Sequence, residues 1–316
     1  MSHRAEAFAP ASIGNVGVGF DVLGLAIEGA GDTVICERSD APGVTISSIT
    51  GDDIAGDVSK IPFQADSNTA AISADAFWRE CGDGGGLILS LHKGTPLASG
   101  MGSSAASAVA AVVAANGLLE NPLPFSELLP FAMRGEAFAS GAEHADNVAP
   151  SLFGGLVLCP PTGLPTVYSL PVPAGLSSVL VHPRLHVETA AARQALSDEV
   201  RLKDAVAQTG RLATVVRAAY ENDAETFAAN IVDVLVEPQR KNLVAGFDEV
   251  KAAAEQAGAL ACSLSGSGPS LFAIARQSDA TAVADAMVDA FGAILVSANA
   301  WCSPLNTAGA VLRATS

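Results

Sequence analysis

Lysine is scarce in this chain of 316 residues, and positive charge is correspondingly low. Only 17 residues are Lys or Arg against 33 Asp or Glu, so the formal net charge at pH 7 is −16. A nucleic-acid binder needs a basic face for phosphate contacts, and this balance argues against one. Anionic substrates are also repelled at long range, so any phosphate site must be built locally from backbone dipoles, arginine or a metal ion.

Long apolar runs and cysteine pairs are missing too. The longest run of small and apolar residues, 103–115, stops at Asn116 and is too short for a membrane span of about 20 residues. Residues 1–10 lack the apolar segment of a secretory signal, and the five cysteines form no Cys-x-x-Cys motif. We therefore expect a cytoplasmic protein with buried, reduced thiols and no membrane partner.

The chain is rich in apolar side chains and mixes two kinds of secondary structure. Hydrophobic residues make up 49% and charged residues 16% of the chain, which excludes disorder. Strands followed by helices in both halves predict an α+β protein with two lobes. Prolines crowd between residues 160 and 173, so we expect an N-terminal lobe over 1–165 and a C-terminal lobe over 166–316.

Individual elements follow from the same pattern. Ser67 is the predicted cap of a helix over 67–80, and the small side chains of 103–116 predict a thin, closely packed helix. In the C-terminal half we expect helices over 223–235 and 279–291, and a strand over 293–296.

The strongest functional signal is a glycine-rich loop that runs directly into the helix over 103–116. Its sequence is Pro96-Leu97-Ala98-Ser99-Gly100-Met101-Gly102-Ser103-Ser104-Ala105-Ala106. Small residues let a ligand approach the backbone, and the first N–H groups of a helix lack partners at the positive end of its dipole. Phosphate is the natural ligand of such a site. The loop is neither a Walker A motif nor a dinucleotide fingerprint, and a helix start that uses glycine only for packing is the alternative.

Two further glycine-rich turns occur, at residues 10–24 and 263–270. In this order and spacing, the three segments resemble the three motifs of the GHMP kinase superfamily. The middle motif of that family reads Pro-x-x-x-Gly-Leu-Gly-Ser-Ser-Ala-Ala, and this chain carries Met101 in place of the leucine, a swap that conserves volume. The resemblance implies an ATP-dependent small-molecule kinase. It also implies an N-terminal lobe like ribosomal protein S5 domain 2 and a ferredoxin-like C-terminal lobe.

A fourth segment narrows the choice of substrate. Residues 141–155 resemble the Gly-x-x-His-x-Asp-Asn-Val-Ala-Pro pattern of the homoserine kinase branch, and 188–193 and 237–240 also fit that branch. The resemblance implies phosphorylation of the L-homoserine hydroxyl in threonine biosynthesis, by an enzyme expected to form a homodimer. The alternatives are a GHMP kinase for another small alcohol and a silent homologue that binds a metabolite and regulates a partner.

The charged residues agree with an amino acid substrate. A carboxylate pairs best with a bidentate guanidinium, which makes Arg193 and Arg240 candidates. An ammonium group pairs with carboxylates, which makes Asp21 and Asp146 candidates. By resemblance, the substrate site also includes Asn15, His144, Thr189 and Gly266.

The pair His144 and Asp146 has other interpretations. It could be part of a metal site, or of a triad with Ser103, but the sequence offers neither further nearby ligands nor a nucleophile elbow. A histidine that only orients its loop is the plainer alternative.

Phosphoryl transfer depends on positioning and charge neutralisation more than on covalent help from the protein. By resemblance, the glycine-rich loop holds the phosphates of ATP, and Ser104 and Glu136 bind Mg²⁺, a hard cation that prefers oxygen ligands. Related mevalonate kinases carry an aspartate base where this chain has Asn147, which cannot accept a proton. The resemblance therefore implies direct attack by the substrate hydroxyl, with Asp146 as a base the alternative.

Overall fold

Two β-sheets organise the chain in a computed structural model that describes residues 2–141, 144–187 and 189–316, without the side chains of Ser140, Thr189 and Ala190. The first sheet has seven strands in the order β11-β1-β2-β4-β3, with β5 paired to β2 and β6 to β5. All neighbours are antiparallel except β3 and β4. Its strands are β1 Arg4–Gly14, β2 Leu23–Ser39, β3 Gly43–Gly51, β4 Gly86–Lys93, β5 Leu156–Leu158, β6 Tyr168–Leu170 and β11 Val311–Thr315.

Four helices accompany the first sheet: α1 Thr69–Cys81, α2 Ser103–Asn116, α3 Phe125–Ser140 and α4 Val148–Phe153. Helix α2 is built from Ala, Val and Ser, so α1, α3, β1 and β2 all pack closely around it. It is buried from Ala105 to Asn116, and it carries the end of the glycine-rich loop into this core. The cap of α1 is Asn68 and not Ser67 as predicted, because Asn68 Oδ1 accepts the N–H groups of Ala70 and Ala71.

The second sheet has the order β10-β7-β9-β8 and is antiparallel throughout. Its strands are β7 Leu176–Pro183, β8 Ala259–Leu264, β9 Leu271–Arg276 and β10 Ala298–Pro304. The helices of this half are α5 Thr189–Gln194, α6 Leu202–Glu221, α7 Ala224–Ala229, α8 Glu237–Arg240, α9 Phe247–Gln256 and α10 Ala280–Ala293. Apart from α5 to α8, which are inserted after β7, the elements β7, α9, β8, β9, α10 and β10 follow the β-α-β-β-α-β order of a ferredoxin-like unit, so the α+β prediction is confirmed.

Two predictions for this half are wrong: the strand over 293–296 and the end of the helix over 223–235. The predicted strand 293–296 is a turn: α10 continues to Ala293, Leu295 has a φ of 61° with its side chain 96% exposed, and β10 begins only at Ala298. The predicted helix 223–235 ends at Ala229, because Asp233 accepts three backbone N–H groups of the following turn. The lobe boundary at 165/166 stays a prediction, and the last strand, β11, pairs with β1 of the first sheet.

The structure also tests the expectations of buried, reduced thiols and of no membrane-spanning segment. All five cysteines are free thiols; Cys36, Cys159 and Cys262 are buried as predicted, whereas Cys302 is exposed. Within the described part of the chain, no helix combines the length and apolar character needed to cross a membrane.

Candidate active site

The glycine-rich loop, the turn after β1 and the turn between β8 and β9 meet around one cavity of about 310 Å³. Hydrogen bonds join the three segments: Asn15 Nδ2 donates to the carbonyl of Gly266 at 3.1 Å, and Ser265 Oγ donates to the carbonyl of Gly100 at 2.7 Å. The predicted site residues that line the cavity are Asn15, Asp21, Leu97, Ala98, Ser99, Gly100, Gly102, Ser103, Ser104, Glu136, His144, Asp146, Asn147, Arg193, Arg240 and Gly266.

Two glycines of the loop are required by its backbone and by its neighbours. Gly100 and Gly102 have φ values of 75° and 64°. A Cβ at Gly100 would lie 2.4 Å from the carbonyl oxygen of Ser265, and one at Gly102 would lie 2.2 Å from Ser12 Oγ. Gly102 is also the N-cap of α2 and offers that helix no side-chain cap. The first N–H groups and the dipole of α2 therefore favour an anion at this end of the cavity.

Ser104 and Glu136 place oxygen donors beside the loop. Ser104 Oγ donates to Oε2 of Glu136 at 2.6 Å, and Glu136 is 8% exposed. Burial raises the pKa of Glu136 to about 7, while the Ser104 hydrogen bond and the charge of Lys93 act to lower it. A hydroxyl and a buried carboxyl that gains from a nearby cation are the hard donors that Mg²⁺ prefers. The donor set therefore fits a magnesium ion.

Asn15 organises the acidic side of the cavity. Its backbone N–H donates to Oδ2 of Asp146 at 3.2 Å, and its own Oδ1 accepts the backbone N–H of Asp21 at 3.0 Å. Burial and the neighbouring Asp21 carboxylate raise the pKa of Asp146 to about 7, and the Asn15 hydrogen bond opposes them. Two neighbouring carboxyl groups, of which Asp146 is buried and Asp21 partly exposed, indicate a site for a cationic group.

Two arginines lie next to this acidic side. The guanidinium carbons of Arg193 and Arg240 lie 5.9 and 5.2 Å from the centroid of the same ring, Phe20. Arg240 is 4% exposed and its Nε donates to the carbonyl of Ala192 at 2.9 Å. Burial, and then the charge of Arg193, lower the pKa of Arg240. Two cations held this close gain from an anion placed between them, and the fork geometry of arginine suits a carboxylate.

His144 joins the arginines to the acidic side. Its Nε2 lies 2.9 Å from a terminal nitrogen of Arg193, and its Nδ1 lies 3.5 Å from Oδ2 of Asp21. Burial lowers its pKa, and Arg193 lowers it further while Asp21 raises it. A neutral imidazole can accept from Arg193, which hydrogen-bonds Asp21 at 3.2 Å as well.

The triad and metal-site interpretations of His144 receive no support from the geometry. Ser103 Oγ donates to the carbonyl of Thr95 at 3.2 Å, so its hydrogen bond points to the loop and not to an imidazole. Among the residues that the structure describes, no group of three or more His, Cys, Asp and Glu side chains is arranged to hold a metal ion.

Family comparisons agree with this geometry. The family models described as GHMP kinases N terminal domain and GHMP kinases C terminal match residues 68–155 and 215–293. A homoserine kinase of Xylella fastidiosa (strain 9a5c) is 46% identical over 312 residues, which cover 98% of this chain and 94% of that protein. The chain belongs to the homoserine kinase family of GHMP kinases.

Solved structures of GHMP kinases share the fold. The crystal structure of homoserine kinase from Cytophaga hutchinsonii ATCC 33406 matches with a TM-score of 0.93 at 44% identity, over 99% of this chain and 98% of that one. Lactococcus lactis galactokinase matches with a TM-score of 0.68 at 16% identity, over 98% of this chain and 95% of that one, which shows the fold alone. The two-domain GHMP kinase fold expected from the three glycine-rich segments is confirmed.

Asn147 lies at the position where, by the resemblance, related mevalonate kinases carry an aspartate base. Its Oδ1 accepts a hydrogen bond from Ser12 Oγ at 2.9 Å, and its Nδ2 lies 3.4 Å from Oδ2 of Asp146. The amide therefore turns its nitrogen, a donor, toward the acidic side of the cavity. A carboxylate at the same place would be an acceptor instead.

Some predicted residues of this family's motifs lie outside the cavity lining. Met101, Ala105 and Ala106 are 0% exposed and their side chains pack in the core, and Pro96 is also buried. The side chain of Thr189 falls outside the described part of the structure. The lining residues that are not among the predicted site residues are Ile61, Asn68, Thr69, Leu91, Lys93, Ser107, Ala139 and Ser267, and of these Ser267 lies in the glycine-rich turn 263–270. The sequence could have indicated Lys93, because it is the last residue of the strand directly before the glycine-rich loop.

Proposed function

We propose that this chain transfers the γ-phosphoryl group of ATP to the side-chain hydroxyl of L-homoserine, giving O-phospho-L-homoserine for threonine biosynthesis. One observation carries the proposal: the same cavity presents the carboxyl pair Asp21 and Asp146, an arginine pair and the N-terminus of α2. An α-amino acid has an ammonium and a carboxylate that match the two charged pairs. The names of the similar proteins agree with this substrate.

The phosphates of ATP are expected at the glycine-rich loop. Gly100 and Gly102 leave the backbone accessible, and the first turn of α2 supplies donors and a positive dipole. This arrangement answers the charge problem of a protein with a net charge of −16, because it needs no cluster of lysines. The alternative that the glycines serve packing alone is less favoured, since charged groups suited to a substrate share the cavity with them.

Ser104 and Glu136 would hold Mg²⁺. When bound, the ion would neutralise charge on the phosphate oxygens. The protein contributes the orientation of the two oxygen donors, because Ser104 lies in the first turn of α2 and Glu136 faces it from α3.

The substrate hydroxyl would attack without a protein base. Asn147 cannot accept a proton, and a loose transition state places little charge on the attacking oxygen before the bond to the leaving group breaks. The proton is then lost late, to a phosphate oxygen. Asp146 would bind the ammonium group, since its carboxyl gains from a cation that offsets the loss of solvent.

The deciding experiment is an ADP-release assay with ATP, Mg²⁺ and a panel of alcohols. The panel is L-homoserine, mevalonate, galactose and shikimate, with omission of Mg²⁺ as a control. Turnover with homoserine alone is expected. Turnover with another alcohol would contradict the carboxylate role of Arg193 and Arg240, and a folded protein that binds ATP but turns over nothing would favour a regulatory homologue. The cytoplasmic location and the homodimer stay predictions.

A further inference from the structure

Asp32 and Lys93 form a buried ion pair beside the glycine-rich loop, and no recognised motif contains either residue. Their side chains are 0% and 2% exposed, and the lysine ammonium lies in direct contact with the carboxylate. Removing two charges from water is costly, so a buried pair is weak evidence for stability by itself. Its hydrogen bonds indicate what else it does.

Asp32 accepts from both the start of the loop and the helix that follows it. Its Oδ1 accepts the backbone N–H groups of Gly94 and Thr95, each at 3.1 Å. Its Oδ2 accepts from Lys93 Nζ and, at 2.6 Å, from Ser107 Oγ in the second turn of α2. One carboxylate on β2 therefore fixes the backbone at 94–95 relative to α2.

Lys93 ties down the other end of the loop. Besides Asp32, its Nζ donates to the carbonyl of Ser103 and to Ser107 Oγ, both at 2.8 Å. An ammonium has three donors, so these partners use all of them. Lys93 borders the cavity, yet it acts on the loop and the first residue of α2 and has no donor left for a ligand.

We propose that Asp32 is a positioning residue for the phosphates of ATP: with Lys93 and Ser107 it fixes the distance between the start of the loop and the first turn of α2. This rests on the proposed function, in which that loop binds the phosphates. Backbone N–H groups bind an anion best when they are preorganised, because no free energy is then spent on arranging them. The amino acid end of the cavity shares none of these hydrogen bonds.

Four variants test the role. Asp32→Asn keeps the shape and leaves Lys93 unpaired, and Lys93→Met leaves Asp32 unpaired. The double variant Asp32→Asn/Lys93→Met buries no unpaired charge and is the one designed to fold if either single variant does not. Val283→Ala, in a fully buried position of the second lobe far from the loop in sequence, is the control for lost stability alone. The readouts are the melting temperature, the Kd for ADP by calorimetry, and KM for ATP and for homoserine separately.

The expected result is a split between the two substrates. The double variant should bind ADP about tenfold more weakly and show a similar rise in KM for ATP, with KM for homoserine within about twofold of wild type. Val283→Ala should lower the melting temperature and leave the Kd for ADP unchanged. Wild-type affinity for ADP in the folded double variant, or an equal rise in both KM values, would overturn the role of Asp32. Wild-type protein that binds no ADP would instead contradict the proposed function itself.

Discussion

The hydroxyl of Ser12 donates a hydrogen bond of 2.9 Å to Oδ1 of Asn147, across 135 residues of sequence. Ser12 is fully buried on β1, and Asn147 precedes α4 at the cavity. Because the serine occupies the amide oxygen, the amide nitrogen is the group left for the substrate side. The position thus supplies a donor for developing negative charge and no acceptor for a proton.

Replacing Asn147 should therefore lower the rate. Asn147→Asp would put a second carboxyl about where Nδ2 now lies 3.4 Å from Asp146, and like charges this close resist ionising together. We expect kcat to fall by about 100-fold, the size of effect seen when one donor to a transition state is lost. Steady-state kinetics with saturating ATP would measure it. An unchanged or higher kcat would contradict the role of the Asn147 amide as a donor to the transition state.

Removing the Ser12 hydroxyl, which orients the Asn147 amide, tests the donor role of that amide without changing Asn147 itself. In Ser12→Ala, Asn147 keeps its chemistry but loses a partner, and kcat should fall by about tenfold, consistent with one hydrogen bond. Ser178→Ala is a matched control, since it deletes another fully buried serine hydroxyl, which donates to the carbonyl of Ser303 at 3.3 Å in the second sheet. The control should leave kcat unchanged. Equal losses in the two variants would show that the effect comes from general destabilisation.

Asp146 is expected to bind the ammonium group and not to act as a base. Asp146→Asn replaces the charge with an amide of the same shape, so KM for homoserine should rise by about 10- to 100-fold, the range for a charge-assisted hydrogen bond. The fall in kcat should be smaller. If kcat collapsed while KM stayed fixed, the base role would be supported instead. Asp223→Asn, at the N-cap of α7, should change neither constant.

Arg240 should act through the substrate carboxylate alone. Arg240→Lys keeps the charge but loses the planar fork and the bond from Nε to the carbonyl of Ala192, so KM for homoserine should rise about tenfold. KM for ATP should not change. The amino alcohol 3-amino-1-propanol lacks the carboxylate, and its weak turnover should be insensitive to the change. Equal sensitivity of both substrates would argue against the clamp, and Arg217→Lys on the exposed face of α6 is the control.

The glycine-rich loop can be predicted from the sequence, whereas the ion pair of Asp32 and Lys93 that holds it cannot, and the reason is physical. Gly100 and Gly102 impose a local backbone geometry that is written in a short stretch of sequence. Asp32 and Lys93 are 61 residues apart in sequence and lie on neighbouring strands. The residue pattern of these segments predicts the two strands but not the contact between the two side chains. The apolar run at 293–296 predicts a strand that the structure does not contain, because a short apolar run does not distinguish a strand from a helix end.

Stability of the ligand-free protein should depend on pH through Asp146. Its pKa is about 7 in the folded protein and near the ordinary 3.8 when unfolded, because burial favours the protonated form. Between these values the folded state binds more protons, so this contribution is fully present below pH 3.8 and is lost as pH rises through 7. The free energy of unfolding of wild type relative to Asp146→Asn should therefore fall by up to about 4 kcal/mol over that interval.

The comparison with Asp146→Asn is needed because another buried group acts in the opposite direction. Burial, aided by Arg184, lowers the pKa of His182 to about 4, so its contribution is present above about 6.5 and is lost as pH falls. Both proteins contain His182, and the term cancels in the difference. Urea unfolding of each protein at several pH values from 4 to 8, without ligands, gives the two curves. Parallel curves would contradict the raised pKa of Asp146 and remove the main electrostatic argument for a cation at this carboxyl.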